Sequence, residues 1–186
     1  MPIVEAHILE GYDPAEKSRL CTALTQAVRF VVPAAPDAIT VLVHELSPQD
    51  YMRGGAHRAP APALPDPTRI VMSYLQAMED RNLEKAQSFL GDGFSMVFPG
   101  TAPMTTLGEL IEWAKPRYRF VTKTYDSAEA FQAERTVVYT RGTLSGEWPD
   151  GSLFEGIRFI DRFELENGRI VRQDVWNDIA EMREQS

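Results

Sequence analysis

Cysteine is almost absent from this chain of 186 residues. The single Cys21 rules out an intrachain disulfide and a cysteine-built metal cluster. No apolar run reaches the roughly 18 residues that a membrane span needs. The N-terminus has no basic segment followed by an apolar core, so no secretory signal is expected and a cytoplasmic location fits. Basic residues are outnumbered 19 to 27, leaving a net charge of −8. Five basic and seven acidic residues precede residue 63, and fourteen and twenty follow it, so neither half is basic. A nucleic-acid partner and an anionic membrane surface are therefore not expected. Histidine is scarce too. His7, His44 and His57 do not sit at metal-ligand spacing, and none follows position 57. No metal site is expected. Phosphate-binding glycine loops, dinucleotide fingerprints and serine nucleophile elbows are all missing, so no cofactor is expected either.

What is present is an ordinary apolar share of 44% and a charged share of 25%, which suit a globular chain. Residues 2–9 are rich in Ile, Val and Leu and read as a strand closed by Gly11. Asp13-Pro14-Ala15-Glu16 opens a helix: Asp13 caps, Pro14 suits the first helical position and Glu16 completes a capping box. Leu20, Ala23, Leu24, Ala27, Val28 and Val31 recur on one face, and Pro33 and Pro36 stop the helix. Ile39 to Leu46 is a second strand, and Tyr51 to Gly55 a short tail. Strand, helix and strand predict a right-handed parallel crossover. So small a unit buries little core and should oligomerise or lean on another domain. Pro2 stands at the head of the first strand. Initiator methionine is normally trimmed before so small a residue. Trimming would expose a secondary amine of a class that titrates at about pKa 7.7–8.0, and burial in an apolar pocket would lower that value, leaving a neutral base able to move a proton between carbon and oxygen. Alternatively Pro2 simply starts an edge strand, where its missing N–H does no harm.

The run Pro2-Ile3-Val4 to Gly11, the capped helix, Val41-Leu42-Val43-His44-Glu45-Leu46 and the closing Gly54-Gly55 resemble the 4-oxalocrotonate tautomerase family over residues 2–55. The resemblance implies that Pro2 is the catalytic base, that Tyr51 lines an apolar pocket, and that the domain is trimeric or hexameric. Members that take dicarboxylates add two arginines, at positions that are Tyr12 and Thr40 here. Their absence argues against a dicarboxylate substrate, because planar bidentate capture of carboxylate needs Arg. Arg53 could replace one of them or be a solvated surface residue.

Residues 56–67 carry four prolines and no periodicity, and read as an extended spacer. The expected division is a tautomerase-like domain over 1–58, a Pro/Ala-rich linker over 59–67 and a second domain over 68–186. In the second, Ile70 to Met78 and Asn82 to Leu90 read as helices, Gly91-Asp92-Gly93 as a stop, and Phe94 to Phe98 as a short strand. Thr106 to Glu109 is a capping box for a third helix. Strands are predicted at about 118–126, 134–146, 152–165 and 169–177, with turns at Pro149-Asp150-Gly151 and Glu166-Asn167-Gly168. Helices followed by antiparallel strands give an α+β domain, and a curved sheet over helices leaves a ligand pocket.

This half resembles the SnoaL-like members of the nuclear transport factor two-like superfamily over about residues 66–182. The resemblance rests on the first helix pair, Phe94 to Gly100, and Phe163 to Val171 leading into Asp174-Val175-Trp176-Asn177-Asp178. The whole chain is thus expected to be α+β, a small β-α-β domain fused to a cone of helices packed in a curved antiparallel sheet. The resemblance implies a dimeric second domain. Phe98 occupies the position where ketosteroid isomerases hold their aspartate, and no histidine exists to pair with an acid. That leaves Asp161 and Asp174 as candidate acid–base groups. Asp161 alternates with Phe159 and Phe163 and is a candidate for a desolvated acid, or for a carboxylate paired structurally with an Arg or a Tyr hydroxyl. Tyr139, Arg141 and Trp176 are candidate pocket contacts, and Asp178 a helix cap.

Three functions fit this sequence. The first is a small-molecule tautomerase or isomerase using Pro2, acting as a homo-oligomer: a dimer, trimer or hexamer. The second is cyclase, dehydratase or isomerase chemistry in the C-terminal cavity through Asp161 or Asp174. The third is a small-molecule binding protein without catalysis. Whether Met1 is removed decides the first.

Overall fold

The computed structural model describes residues 1–184 and divides into two compact units, Met1–Ala63 and the chain from Leu64 onward. In the N-terminal unit β1 (Ile3–Leu9) and β2 (Thr40–Leu46) pair in parallel, with Ile3 opposite Thr40 and Leu9 opposite Leu46. They are joined through α1 (Pro14–Val31). Asp13 Oδ1 accepts from the Glu16 N–H at 2.8 Å, and Glu16 Oε2 accepts from the Asp13 N–H at 2.8 Å, closing the capping box that the sequence announces. The expected tail folds back instead. Met52–Arg53 (β3) and Ala56–His57 (β4) form a two-stranded hairpin around Gly54 and Gly55, whose φ angles of 62° and 75° suit the tight turn that twists with its strands. The hairpin ends at His57, before the proline-rich stretch expected over 59–67. Two strands and one helix leave much apolar surface open. Among the described residues of this unit none is fully buried, and Phe30 is 92% exposed.

The C-terminal unit opens with α2 (Pro67–Glu79), where Asp66 Oδ1 accepts from the Thr68 N–H at 3.0 Å and Pro67 takes the first helical position. Next come α3 (Leu83–Gln87), β5 (Leu90–Val97), α4 (Leu107–Ala114) and β6 (Phe120–Gln132). Then follow β7 (Thr136–Glu147), β8 (Leu153–Glu166), β9 (Arg169–Asn177) and α5 (Ile179–Glu184). The sheet order is β5-β9-β8-β7-β6. Four strands are antiparallel neighbours as expected, but β5 joins β9 in parallel. That pairing becomes possible because α4 and three long strands separate the two in sequence. Gly91-Asp92-Gly93, expected to end a helix, lies inside β5, at a register shift between Leu90 and Ser95.

Alternation along the long strands sorts their side chains. Val138, Thr140 and Leu144 of β7, and Phe159, Asp161, Phe163 and Leu165 of β8, turn inward and are buried. Val138, Phe163 and Leu165 pack with Val71, Tyr74 and Leu75 of α2 and Met96 of β5, while Leu144 and Phe159 join Trp148, Phe154 and Ile157 in a second cluster. Strand β6 runs beyond its expected end through a bulge between Tyr125 and Ser127. At this point β7 must carry glycine. A Cβ on Gly142 would stand 1.9 Å from the Thr124 carbonyl oxygen. Gly142→Ala should therefore cost about 1–3 kcal/mol, read as a lowered midpoint in urea unfolding.

Candidate active site

A concave site lies in the C-terminal unit. A cavity of about 740 Å³ runs between α2, α4 and the near end of β6. Leu75, Met78, Phe98, Leu110 and Val121 supply its apolar wall. Tyr74, Lys123, Tyr125 and Gln173 bring polar atoms to it. The Tyr74 hydroxyl donates to Gln173 Oε1 at 3.1 Å, with both side chains buried. Tyr74→Phe would leave that carbonyl oxygen without its donor, an expected loss of about 1–3 kcal/mol in a denaturant titration.

Lys123 lines the cavity together with Arg81, Lys115 and Arg119, and its partner is Asp161. The ammonium donates to Asp161 Oδ2 and stands 4.4 Å above the ring of Phe159. Asp161 is fully buried, while the Lys123 side chain keeps 20% exposure toward the cavity it lines. The carboxylate therefore meets a ligand only through Lys123. Its other oxygen, Oδ1, has no hydrogen-bond partner among the described residues, and neither has Oγ1 of Thr140, the residue opposite on β7. Burial pushes the Asp161 carboxyl above the usual carboxylate range, and the Lys123 charge offsets this only in part. Burial and then the Asp161 charge raise the Tyr74 hydroxyl, and the same two causes, followed by Glu79, raise Tyr125. Both phenols stay protonated and can donate. Lys123 was not among the residues that sequence reasoning selected. The signal was the alternation of Val121, Lys123 and Tyr125, which turns all three inward once β6 is laid beside β7.

Asp174, Tyr139 and Trp176 lie elsewhere. Counted back from the turn at Asn167-Gly168, where Glu166 pairs with Arg169, Asp174 would face Asp161. A bulge intervenes: Leu165 pairs with Ile170 but Glu164 with Arg172, so β9 carries one extra residue, Val171. The one-residue slip exchanges the faces of everything beyond it. Asp174 then stands opposite Arg162 on the outer face. There it accepts from Arg172 Nε at 2.9 and 3.0 Å and from Arg162 at 3.4 Å. Trp176 shares that face and is 52% exposed. Tyr139 alternates with buried Val138 and Thr140, and stacks on Phe131 with ring centroids 6.0 Å apart. Gln173, not Asp174, is the β9 residue that reaches the cavity.

In the N-terminal unit the Pro2 carbonyl accepts from the Thr40 N–H at 3.1 Å, which fixes the head of β1 beside the head of β2. Tyr51 is half-buried at the base of the hairpin, and its carbonyl lies 3.3 Å from His57 Nδ1. Arg53 is exposed on β3. The Tyr12 hydroxyl donates to the Ala61 carbonyl at 2.9 Å, holding the first part of the proline-rich stretch against this unit.

Residues 2–57 match the tautomerase family model, described as a tautomerase enzyme. The tautomerase-like segment thus begins at Pro2 and ends with the hairpin. The rest of the chain is similar to solved structures of the NTF2-like fold. An NTF2-like protein of unknown function from Burkholderia pseudomallei is 18% identical, with a TM-score of 0.54, over 63% of this chain and 95% of that one. An epoxide hydrolase from M. tuberculosis, described as LEH-like, is 18% identical, with a TM-score of 0.52, over 66% and 90%. TerC, co-crystallised with polyporic acid, is 13% identical, with a TM-score of 0.53, over 64% and 97%. Identities this low establish the fold of the C-terminal unit and leave its activity open. No curated protein matches the chain in sequence. Among the described residues no helix is long and apolar enough to cross a membrane.

Proposed function

We propose that the chain is a small-molecule tautomerase whose base is the Pro2 amine, joined to an NTF2-like unit that holds a small, largely apolar ligand. The observation that carries this reading is the family match, which starts at residue 2 with Pro2 at the head of β1. Met1 is 90% exposed, open to the peptidase that must remove it. The freed amine, neutral in part at physiological pH, takes the enol O–H proton, and the ammonium so formed returns a proton to the neighbouring carbon. Tyr51 supplies an apolar wall. With Tyr12 and Thr40 in place of arginines, the substrate carries less negative charge than a dicarboxylate. Unit-to-unit assembly of several copies covers the apolar surface that one β-α-β unit leaves open.

Intact-mass measurement and the enol-to-keto conversion of an aryl pyruvate test this reading together. A mass lacking Met1, with turnover, supports it. Retained Met1 acylates the Pro2 nitrogen and ends it.

A second reading is favoured by the Lys123–Asp161 pair, a cation and a desolvated acid beside an apolar cavity. Here Lys123 moves the proton at the ligand and Asp161 positions and recharges it. Turnover that survives Pro2→Ala but is lost in Lys123→Met assigns the chemistry to the C-terminal unit. Absence of turnover in both, with a ligand carried through purification, leaves a binding protein.

A further inference from the structure

The β1–β2 sheet has a second face that none of this chemistry uses. On β1, Val4, Ala6 and Ile8 are half-buried, while Ile3, Glu5 and His7 are exposed. The parallel register sets His7 directly opposite His44. Their rings stack with centroids 4.7 Å apart and an interplanar angle of 17°. Glu5, two residues before His7 on the same face, brings its Oε2 to 3.7 Å from His44 Nε2. One donor atom from each of the three lies within 4.8 Å of the others. In sequence these histidines are 37 positions apart and show no ligand spacing. Strand pairing alone makes them neighbours.

We propose that Glu5, His7 and His44 form a binding site for a divalent transition-metal ion, with Zn(II) as the fitting species. Two imidazoles and one carboxylate are a borderline donor set, suited to zinc and poorly matched to Mg(II) or Ca(II), which take oxygen ligands. Zinc bonds of about 2.0–2.1 Å in a tetrahedron place donors roughly 3.3 Å apart. Glu5 Oε2 and His44 Nε2 are 3.7 Å apart and all three donors lie within 4.8 Å of one another, and the side chains are exposed, so they can close on the ion without disturbing the core. The strands fix the backbone positions in advance, because both histidines belong to one uninterrupted ladder. Three protein ligands leave a fourth position for water or for a donor from another copy of the chain. The negative net charge of −8 favours cation capture in general but supplies no selectivity. No residue is shared with the proposed tautomerase site.

The test is calorimetric titration of the untagged, metal-stripped full-length chain with zinc sulfate. One saturable ion per chain is expected, with no comparable heat from magnesium sulfate. His7→Ala and His44→Ala should each weaken binding at least about tenfold, and Glu5→Gln should weaken it less. His57→Ala serves as the control and should leave binding unchanged, since that ring lies against the Pro48 and Tyr51 carbonyls of the hairpin. His44→Gln, which keeps a polar side chain of similar reach, guards against a folding defect in His44→Ala and should give the same loss. Absence of zinc binding to the parent chain overturns the proposal. So does binding that survives His7→Ala and His44→Ala intact.

Discussion

Replacing Pro2 with leucine is expected to lower enol–keto turnover by roughly 10²–10⁴-fold, the usual worth of a positioned general base. The large side chain blocks removal of Met1, so position 2 becomes an ordinary amide and no amine stands at the head of β1. Pro2→Ala should fall short of this, at about 10²-fold. Alanine still permits trimming and leaves a primary amine, but loses the ring that fixes the nitrogen. The two variants together separate the need for an amine from the need for a proline. Because only the neutral amine accepts a proton, kcat/KM should rise with pH through the amine titration and then level off. Equal activity in the parent and in Pro2→Leu would remove Pro2 from the mechanism. Intact mass must accompany each measurement, since the interpretation turns on Met1.

The capping and turn signals of the sequence are carried into the fold, as is the parallel crossover of β1 and β2, whereas the glycine pair at Gly91 and Gly93 and the partnership of β5 with β9 are not what the sequence predicts. Asp13-Pro14-Ala15-Glu16 and Thr106 to Glu109 both form the reciprocal hydrogen bonds that their spacing predicts. The turn at Asn167-Gly168 has both residues in the left-handed region, at φ 50° and 75°. Each of these features is decided within four or five residues. The parallel partnership of β5 with β9 is decided across more than seventy, and nothing near Leu90 or Ile170 announces it. Within the candidate site, the inward face of Asp161 was legible because Phe159 and Phe163 flank it at a period of two. Its partner was not, because Lys123 reaches it across the whole width of β7. Asp174 shows the finest limit. A single unpaired residue, Val171, turns it from the cavity side to the outer face, and no propensity rule locates such a bulge.

Lys123→Met is expected to destabilise the C-terminal unit by about 3–5 kcal/mol near neutral pH, the usual cost of stranding one member of a buried ion pair. Asp161 is wholly buried and already has one oxygen without a partner among the described residues, so no second cation takes over. The pH dependence has a definite sign. Burial raises the Asp161 carboxyl in the folded chain above its unfolded value, which is about 3.9. The folded state therefore holds the proton to higher pH than the unfolded state. Stability from that proton is fully present below the unfolded pKa and is lost as pH rises through the folded one. Removing Lys123 removes the charge that pulls the folded pKa down, so the window widens upward. The deficit of Lys123→Met against the parent should thus be largest at neutral pH and shrink as pH falls toward about 4. Asp161→Asn should cost less, because the ammonium it leaves behind retains access to the cavity. Urea titrations across this pH range check all three statements. An apolar replacement of both, Lys123→Met with Asp161→Leu, should recover most of the loss, since well-packed apolar pairs often equal buried ion pairs in stability. A double variant that regains stability but neither holds ligand nor turns it over would mean that the pair is kept for its chemistry at the cavity, at a cost to the fold.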